Sequence, residues 1–462
     1  MTANLSLLKS IQLRNFFRMD FLNSLYSIFP FEVIDKVAKQ GTRDRIYSIE
    51  NTILTMVYSS TQEDKTLENA VEIFERVHNN QKERILKNAQ ASIQREKEND
   101  LKVSKTKRGP KKKYNIKVPK SKTSEISDNT AGYSKARKRL SLDLLHEIFH
   151  KTTENTHSIT KWYGMETYIT DGTYAQMQDT KELRKIYDVQ NKNNVHKKEY
   201  PQCLIQAIIQ QGSGLIHDYT IANRHVSELS LIYKIIQSLP AKSLLLADDL
   251  YNSYAIFSLA RKYNFDVIVP GKRVRNYKVI RQLGEGDEIV ELKKTAHPDW
   301  LPKKEYLPEK IILRRLSFLS PDGQKTMVIY TTLLNEKIPK SEIILKYFTR
   351  WDIEISIREV KTIMDINVLR GKSDDIVKKE LASAFIAYNL IREIIAQSIK
   401  GTAFPPKGDI IQEFFENNKE LYIDIKGRVY NRWSSGRYGK VKEENTKENY
   451  TKETRKEVYK SN

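Results

Sequence analysis

Four residues in the stretch Tyr347 to Lys361 have the types and spacing to do chemistry: Tyr347, Arg350, Glu354 and Lys361. In a helix of about 3.6 residues per turn, offsets of four and seven return to nearly one face. Arg350 lies four before Glu354, Tyr347 seven before it and Lys361 seven after it. A phenol, a guanidinium, a carboxylate and an ammonium therefore share one stripe if the segment is helical. A carboxylate binds a hard metal ion, and the flanking cations and phenol bind phosphate oxygens. The alternative is an amphipathic helix with an ordinary surface ion-pair stripe. The helical pattern predicts one continuous helix from about Ser341 to Leu369.

Two further carboxylates stand at strand ends in the pattern. TYITDGT (Thr167 to Thr173) reads as a strand ending at Asp171-Gly172-Thr173. SLLLADD (Ser243 to Asp249) reads as a buried strand that delivers Asp248. Acids at the carboxyl ends of neighbouring strands project into one crevice. Taken singly, Asp171-Gly172 is also a common turn pair and Asp248 or Asp249 a helix cap.

The elements that must position these acids follow from the pattern. QCLIQAIIQ and LIHDYTIA flank Gly212-Ser213-Gly214 and form a hairpin. SELSLIYKIIQSL is a helix with Ser227 as N-cap, NSYAIFSLARKYN a second helix, and DVIVPG another strand. This order predicts an α/β mixed sheet with helices on its faces. IVELKK, KIILRRLSFL and KTMVIYTTLL alternate as strands and interrupt the α/β pattern, which lengthens the gap between Asp248 and Glu354. Asp374 to Lys400 reads as a helix that serves as core or as a dimer face. Residues 1 to about 90 read as helices.

Composition points to a polyanion. Of 462 residues, 79 are Lys or Arg and 58 Asp or Glu, giving a net charge of +21. Such a surplus draws nucleic acid or an acidic membrane surface. No apolar run is long enough to span a membrane. The basic stretch Lys102 to Lys122 holds Lys107, Arg108, Lys111, Lys112 and Lys113. It either lies along a phosphate backbone or is a solvated linker. Gly132 to Lys151 reads as one helix with Arg137, Lys138 and Arg139 at its start, where the dipole disfavours cations, so these residues point to a ligand. Arg428, Arg432 and Arg437 with Tyr430, Trp433 and Tyr438 are an aromatic-basic contact or a solvated tail. The single cysteine, Cys203, excludes internal disulfides and cysteine-based zinc sites, fits a reducing cytoplasm and is expected to be buried. The N-terminus carries no signal-peptide pattern.

The spacing Y-x2-R-x3-E-x6-K, the DGT at Asp171 and the ADDLY at Ala247 to Tyr251 together resemble the IS-four family of DDE transposases, over roughly Phe29 to Tyr438. The resemblance implies a ribonuclease-H-like core with a β-rich insertion, an N-terminal all-helical domain and a helical C-terminal part. The boundaries expected are 1–95 for the helical domain, a candidate DNA-binding unit, and 96–130 for a basic linker. The core would occupy 131–271 and 336–400, split by an insertion at 272–335, with a basic C-terminal region at 401–462. The resemblance makes Asp171, Asp248 and Glu354 the catalytic, metal-binding acids. That family often reads Asp-Arg-Gly-Tyr at the second acid, where this chain has Asp248-Asp249-Leu250-Tyr251; alignment to Tyr251 favours Asp248 over Asp249. Tyr347, Arg350 and Lys361 would hold the DNA end. Two Mg²⁺ ions, with Mn²⁺ able to substitute, would serve strand cleavage and transfer. The partners implied are double-stranded DNA, as terminal inverted repeats and target, and a second copy pairing two ends. The implied setting is the bacterial cytoplasm, at the nucleoid when DNA is bound. Two rival readings share the fold: a two-metal nuclease that cuts without joining, and an inactive DNA-binding relative.

Overall fold

The computed structural model describes residues 26, 28–38, 46–62, 64–74, 129–154, 161–187, 200–271, 275–319, 325–351, 360–361 and 364–400, with single positions between 77 and 95. The chain divides into two compact units, Met1–Asp20 with Ser398–Asn462, and Phe21–Gln397. The elements described here belong to the second, apart from the last residues of one helix. Glu354 and the basic stretch with Lys107, Arg108, Lys111, Lys112 and Lys113 lie outside the described residues, as does the aromatic-basic tail.

A ten-stranded mixed sheet organises the unit. Strand β1 (Thr167–Met177) pairs antiparallel with β2 (Gln202–Gln210), and β2 with β3 (Ile216–Asn223). On its other edge β1 pairs in parallel with β4 (Leu244–Leu246), and β4 with β5 (Asp266–Pro270). The spatial order is β3-β2-β1-β4-β5. Leu244, Leu245 and Leu246 are each 0% exposed, as a central parallel strand covered on both faces requires. Helix α6 (Glu228–Ile235) follows β3, and α7 (Tyr254–Tyr263) joins β4 to β5. Ser227 caps α6 by accepting the Leu229 N–H, as its sequence position predicts. Ser253 caps α7 by accepting from Ile256, and Asn264, at φ 59°, ends it in the left-handed region that asparagine tolerates. Burying each large aliphatic side chain of this core is worth about 1.5–3 kcal/mol before entropy is set against it.

The β-rich stretch does not form a sheet of its own. Strands β6 (Lys278–Gly284), β7 (Asp287–Lys293), β8 (Lys310–Leu319) and β9 (Thr326–Thr331) form an antiparallel meander. Its last strand pairs antiparallel with β5, through Ile268↔Thr331 to Pro270↔Ile329, so the core sheet simply continues. A buried ion pair fixes the junction. Arg314, 2% exposed, donates Nε and Nη2 to the two oxygens of Asp287 at 2.8 and 2.6 Å. Its Nη1 donates to the carbonyls of Ile338 and Asn335 at 2.9 and 3.1 Å. Trp300 packs against the main apolar core from this meander.

On the remaining elements, α1 (Phe31–Ala38) packs on α4 (Leu142–Glu154), and α2 (Ile49–Ser59) on α3 (Ala131–Arg139). A short α5 (Lys181–Tyr187) follows β1. Helix α8 (Lys340–Phe348) follows β9, and α9 (Asp374–Lys400) runs as its sequence predicts.

Four expectations need correction. The segment 341–369 is not one helix. Helix α8 stops at Phe348 and tightens into a 3-10 turn over Thr349–Trp351, where the Thr349 hydroxyl donates to the Lys346 carbonyl at 2.6 Å. Helical backbone is present at 360–361, and Val368–Leu369 is strand β10, captured in parallel by the free edge of β1 at Gln176 and Met177. Tertiary pairing overrides helix propensity there. Asp171-Gly172 is neither strand end nor turn, because β2 pairs with β1 without a break from Tyr168 to Gln176. The helix expected over 132–151 is two helices, divided at Leu140 and Ser141. Arg137, Lys138 and Arg139 consequently occupy the last turn of α3, where the dipole favours cations. The buried Lys379 ammonium donates to the Arg137 and Lys138 carbonyls at 3.2 and 3.1 Å, which closes the end of this helix.

Removing one partner of the Arg314–Asp287 pair strands a buried charge. Arg314→Ala should lower the unfolding free energy by about 3–5 kcal/mol in urea titration, while Arg314→Met with Asp287→Leu should restore most of it. Cys203 is 0% exposed, and burial pushes its thiol up to about 12. At pH 8 a thiol reagent should leave the native protein unmodified and titrate one thiol in denaturant.

Candidate active site

The edge of β1 facing β4 carries the site. Pairing with β4 runs from Thr167↔Leu244 to Ile169↔Leu246 and then stops. Pairing with β10 resumes only at Gln176. Carried two residues further, the β1–β4 register would set Thr170 beside Ala247 and Asp171 beside Asp248. Parallel strands lie about 4.8 Å apart and register partners share a face. That continued register would bring the two aspartates level with each other, but the pairing ends before them, where β4 parts from β1. Asp248 begins a 3-10 turn over Asp249–Tyr251 and accepts the Leu250 N–H at 2.8 Å through Oδ1. The capping role that its sequence position also suggests is real, and it occupies one oxygen. Asp171 Oδ1 accepts the Gly172 N–H at 2.8 Å.

Electrostatic coupling joins these acids to a third that the sequence pattern did not single out, Glu228 at the start of α6. Burial first, and then Asp171 and Asp248, push the Glu228 carboxyl above the usual carboxylate range, against a lowering contribution from Tyr251. Tyr251, 1% exposed, has its phenol pushed well up by burial and then by Glu228, Asp171 and Asp248. Asp248, and not Asp249, is the member of the Asp248-Asp249 pair that bears on Glu228 and Tyr251. The signal for Glu228 was only its place, as a helix-opening acid after the β2–β3 hairpin. Such acids usually serve the helix dipole.

Two residues of the signature segment reach the same place. Tyr347, 5% exposed, sits in the last turn of α8. Burial raises its phenol, Arg350 opposes this by charge and hydrogen bond, and Asp248 and Asp249 raise it further. Tyr347 and Arg350 thus meet across one turn, and the charges of Asp248 and Asp249 act on Tyr347. The end of α8 is anchored to the β2–β3 turn: Lys346 Nζ donates to Gln211 Oε1 at 2.7 Å, and Gln211 Nε2 to the Thr349 carbonyl at 3.4 Å. Lys361 is helical and half-buried. The segment's exit is held by Lys65, whose ammonium donates to the carbonyls of Met364 and Asp365.

Arg137 is not brought to this centre. It stacks over Tyr133, with its guanidinium carbon 5.7 Å from the ring centroid, and lines a cavity of about 780 Å³ with Lys65, Glu182, Arg370 and Glu380.

The donor chemistry at the centre is that of a hard divalent cation's ligands: carboxylate oxygens, and no cysteine. Among the described residues no three such side chains are already grouped closely enough to hold a metal. No described helix is long and apolar enough to cross a membrane.

Comparison with known proteins gives the same region. Residues 162–390 match the family described as "Transposase DDE domain". They include Asp171, Asp248, Tyr347, Arg350, Glu354 and Lys361. The transposase InsG of insertion sequence element IS4, from Escherichia coli strain K12, is 28% identical over 265 residues, 56% of this chain and 59% of that one. The putative transposase InsZ from the same strain is 25% identical over 177 residues, 37% of this chain and 56% of that one. The chain thus spans less than two thirds of the length of these relatives. A piggyBac transposase synaptic complex with hairpin DNA superposes over 96% of this chain and 86% of that one, with a TM-score of 0.35 and 9% identity, a loose likeness. Residues 162–390 accordingly match the transposase DDE domain family, and the chain is similar to the IS4-element transposase.

Proposed function

We propose that the protein is a DNA transposase of an insertion sequence, cutting DNA at the element's terminal inverted repeats and joining the freed ends to a target. The observation that carries this reading is the parting of β1 and β4 just before Asp171 and Asp248, where both acids act on Glu228 and Tyr251 and Asp248 acts on Tyr347. The strand order β3-β2-β1-β4-β5, antiparallel over the first three and parallel over the last three, supports a ribonuclease-H-like core.

Asp171, Asp248 and Glu354 would hold the divalent ions, two Mg²⁺ or Mn²⁺. When bound, such ions supply Lewis-acid activation of an attacking oxygen and stabilisation of the leaving one. The chain's own residues do the rest. Arg350 presents a fork of donors suited to a phosphate, and its contact with the Tyr347 hydroxyl aims both at one place. Lys361 adds a point charge one segment further on. No side chain serves as covalent nucleophile, and Tyr347, buried with its phenol raised, is poorly placed to be one. The net charge of +21 supplies sequence-independent attraction to the DNA backbone, with Lys107, Arg108, Lys111, Lys112 and Lys113 as its densest run. A second copy would pair the two ends, in the bacterial cytoplasm.

The test uses duplex DNA bearing one element end, with a target duplex added. Asp171→Asn and Glu354→Gln should each reduce strand cleavage by about 10³-fold or more. End binding in gel shift should stay within about threefold of wild type. Equal loss of binding and cleavage would sink the assignment of the acids. Cleavage with no joined product would leave a nuclease. Binding should weaken steeply between 50 and 200 mM salt, reporting phosphate contacts.

A further inference from the structure

A cavity of about 780 Å³ lies where helices that precede β1 meet the exit of the signature segment. Its volume falls in the range of about 300–1,000 Å³ that holds small ligand groups. It is separate from the acids. Its wall includes Leu369 of β10, the register partner of Met177, which lies six positions along β1 from Asp171. At about 3.3 Å per residue the two places are roughly 20 Å apart.

Three of the four acids on the wall are already engaged. Both oxygens of Glu380 accept the Arg370 N–H at 3.0 Å, and one also accepts the Gly371 N–H at 2.7 Å. Glu182 Oε1 accepts the Asp374 N–H at 2.9 Å, and Asp365 pairs with the Arg370 guanidinium at 4.0 Å. The fourth, Glu68, is exposed in the first turn of a helix, where the dipole favours it. Lys65 is committed to the carbonyls of Met364 and Asp365.

The cations Arg137, Lys138 and Lys372 are not committed. Among the described residues none of their side chains has an ion-pair partner. Lys138 and Lys372 are exposed. The Arg137 guanidinium is held over the ring of Tyr133, which is 2% exposed. Among the described residues its buried Nε has no hydrogen-bond partner. A buried donor is costly unless an acceptor meets it. Three uncommitted cations around one cavity, one of them oriented by a buried ring, form a receptor for an anion. A duplex advances about 3.4 Å per base pair, so DNA engaged at the acids passes this cavity about six base pairs further on.

We propose that the cavity is a second phosphate-binding site, in which Arg137, Lys138 and Lys372 hold one backbone phosphate of the DNA duplex about six base pairs from the bond that is cut. The inference rests on the transposase reading. The opposing view makes Arg137 a packing residue on Tyr133 and the two lysines solvated surface charge.

The deciding experiment is gel-shift titration of the full chain with the element-end duplex over a series of salt concentrations. Lys138→Gln and Lys372→Gln, both at exposed positions, should each weaken binding about 3–10-fold and lower the slope of log affinity against log salt by about one. Lys234→Gln, an equal loss of charge at an exposed position of α6, should leave the slope unchanged. A neutral methylphosphonate is then placed at one phosphate at a time. At a single position about six base pairs from the cleavage point, its cost and that of Lys372→Gln should not add, because both remove one contact. Wild-type slopes in both lysine variants, with the wild-type chain binding the end, would overturn the site and keep the transposase reading. Additive costs at every phosphate would overturn the site too, since the lysines would then act only as general charge. Failure of the wild-type chain to bind the element end would overturn the transposase reading itself.

Discussion

The structure depends on a parallel pairing that stops early. Strand β4 follows β1 for three residue pairs and then turns away at Ala247 and Asp248. Had the ladder continued, Asp171 and Asp248 would be two like charges inside a closed sheet, where a buried charge is costly. The short β4 is affordable because Leu244, Leu245 and Leu246 are wholly buried and β5 and α7 close over them.

What surrounds that opening is arranged by charge. On one side α6 brings Glu228 in over Gly172, tied back through Tyr251 and Gln206 to Thr170 of β1. On the other, the end of α8 places Tyr347, hydrogen-bonded to Arg350, within reach of the charge of Asp248. The acids are thus gathered on rigid elements while the opposing cation comes from a 3-10 turn. The meander β6–β9 shares this frame, because it is hydrogen-bonded to β5 and locked by Arg314 and Asp287 to the loop that leads into α8. The position of the signature segment and the continuity of the sheet are one problem with one solution.

Reading the residues in order gave the hairpin, the cap at Ser227, the buried strand at Leu244 and the long helix from Asp374, each from local pattern. It also proposed Asp171, Asp248 and Glu354, with Tyr347, Arg350 and Lys361, as members of one site. It went wrong where distant pairing competes with local preference. The sequence of β10 looks helical, yet β1 offers it an open edge. Arg137 to Arg139 looked like a charged helix start, yet the chain breaks after Arg139 and the buried Lys379 takes the carbonyls there. Asp171-Gly172 looked like a strand end because that dipeptide usually marks a turn, yet β1 runs on to Met177.

The sequence by itself determined the chemistry available here: a strongly basic chain, acids at strand positions, an aromatic-basic segment, one inert thiol. These follow from residue type, local periodicity and spacing, which act over a few neighbours. Tertiary structure alone decided that Asp171 sits inside its strand rather than at its end, and that β9 carries the sheet onward. It alone decided that Glu228, 57 residues after Asp171 in number, stands over Gly172. Those outcomes turn on which strand edge is left open and on where a missing side chain leaves room. Neither is encoded in any short window of the chain.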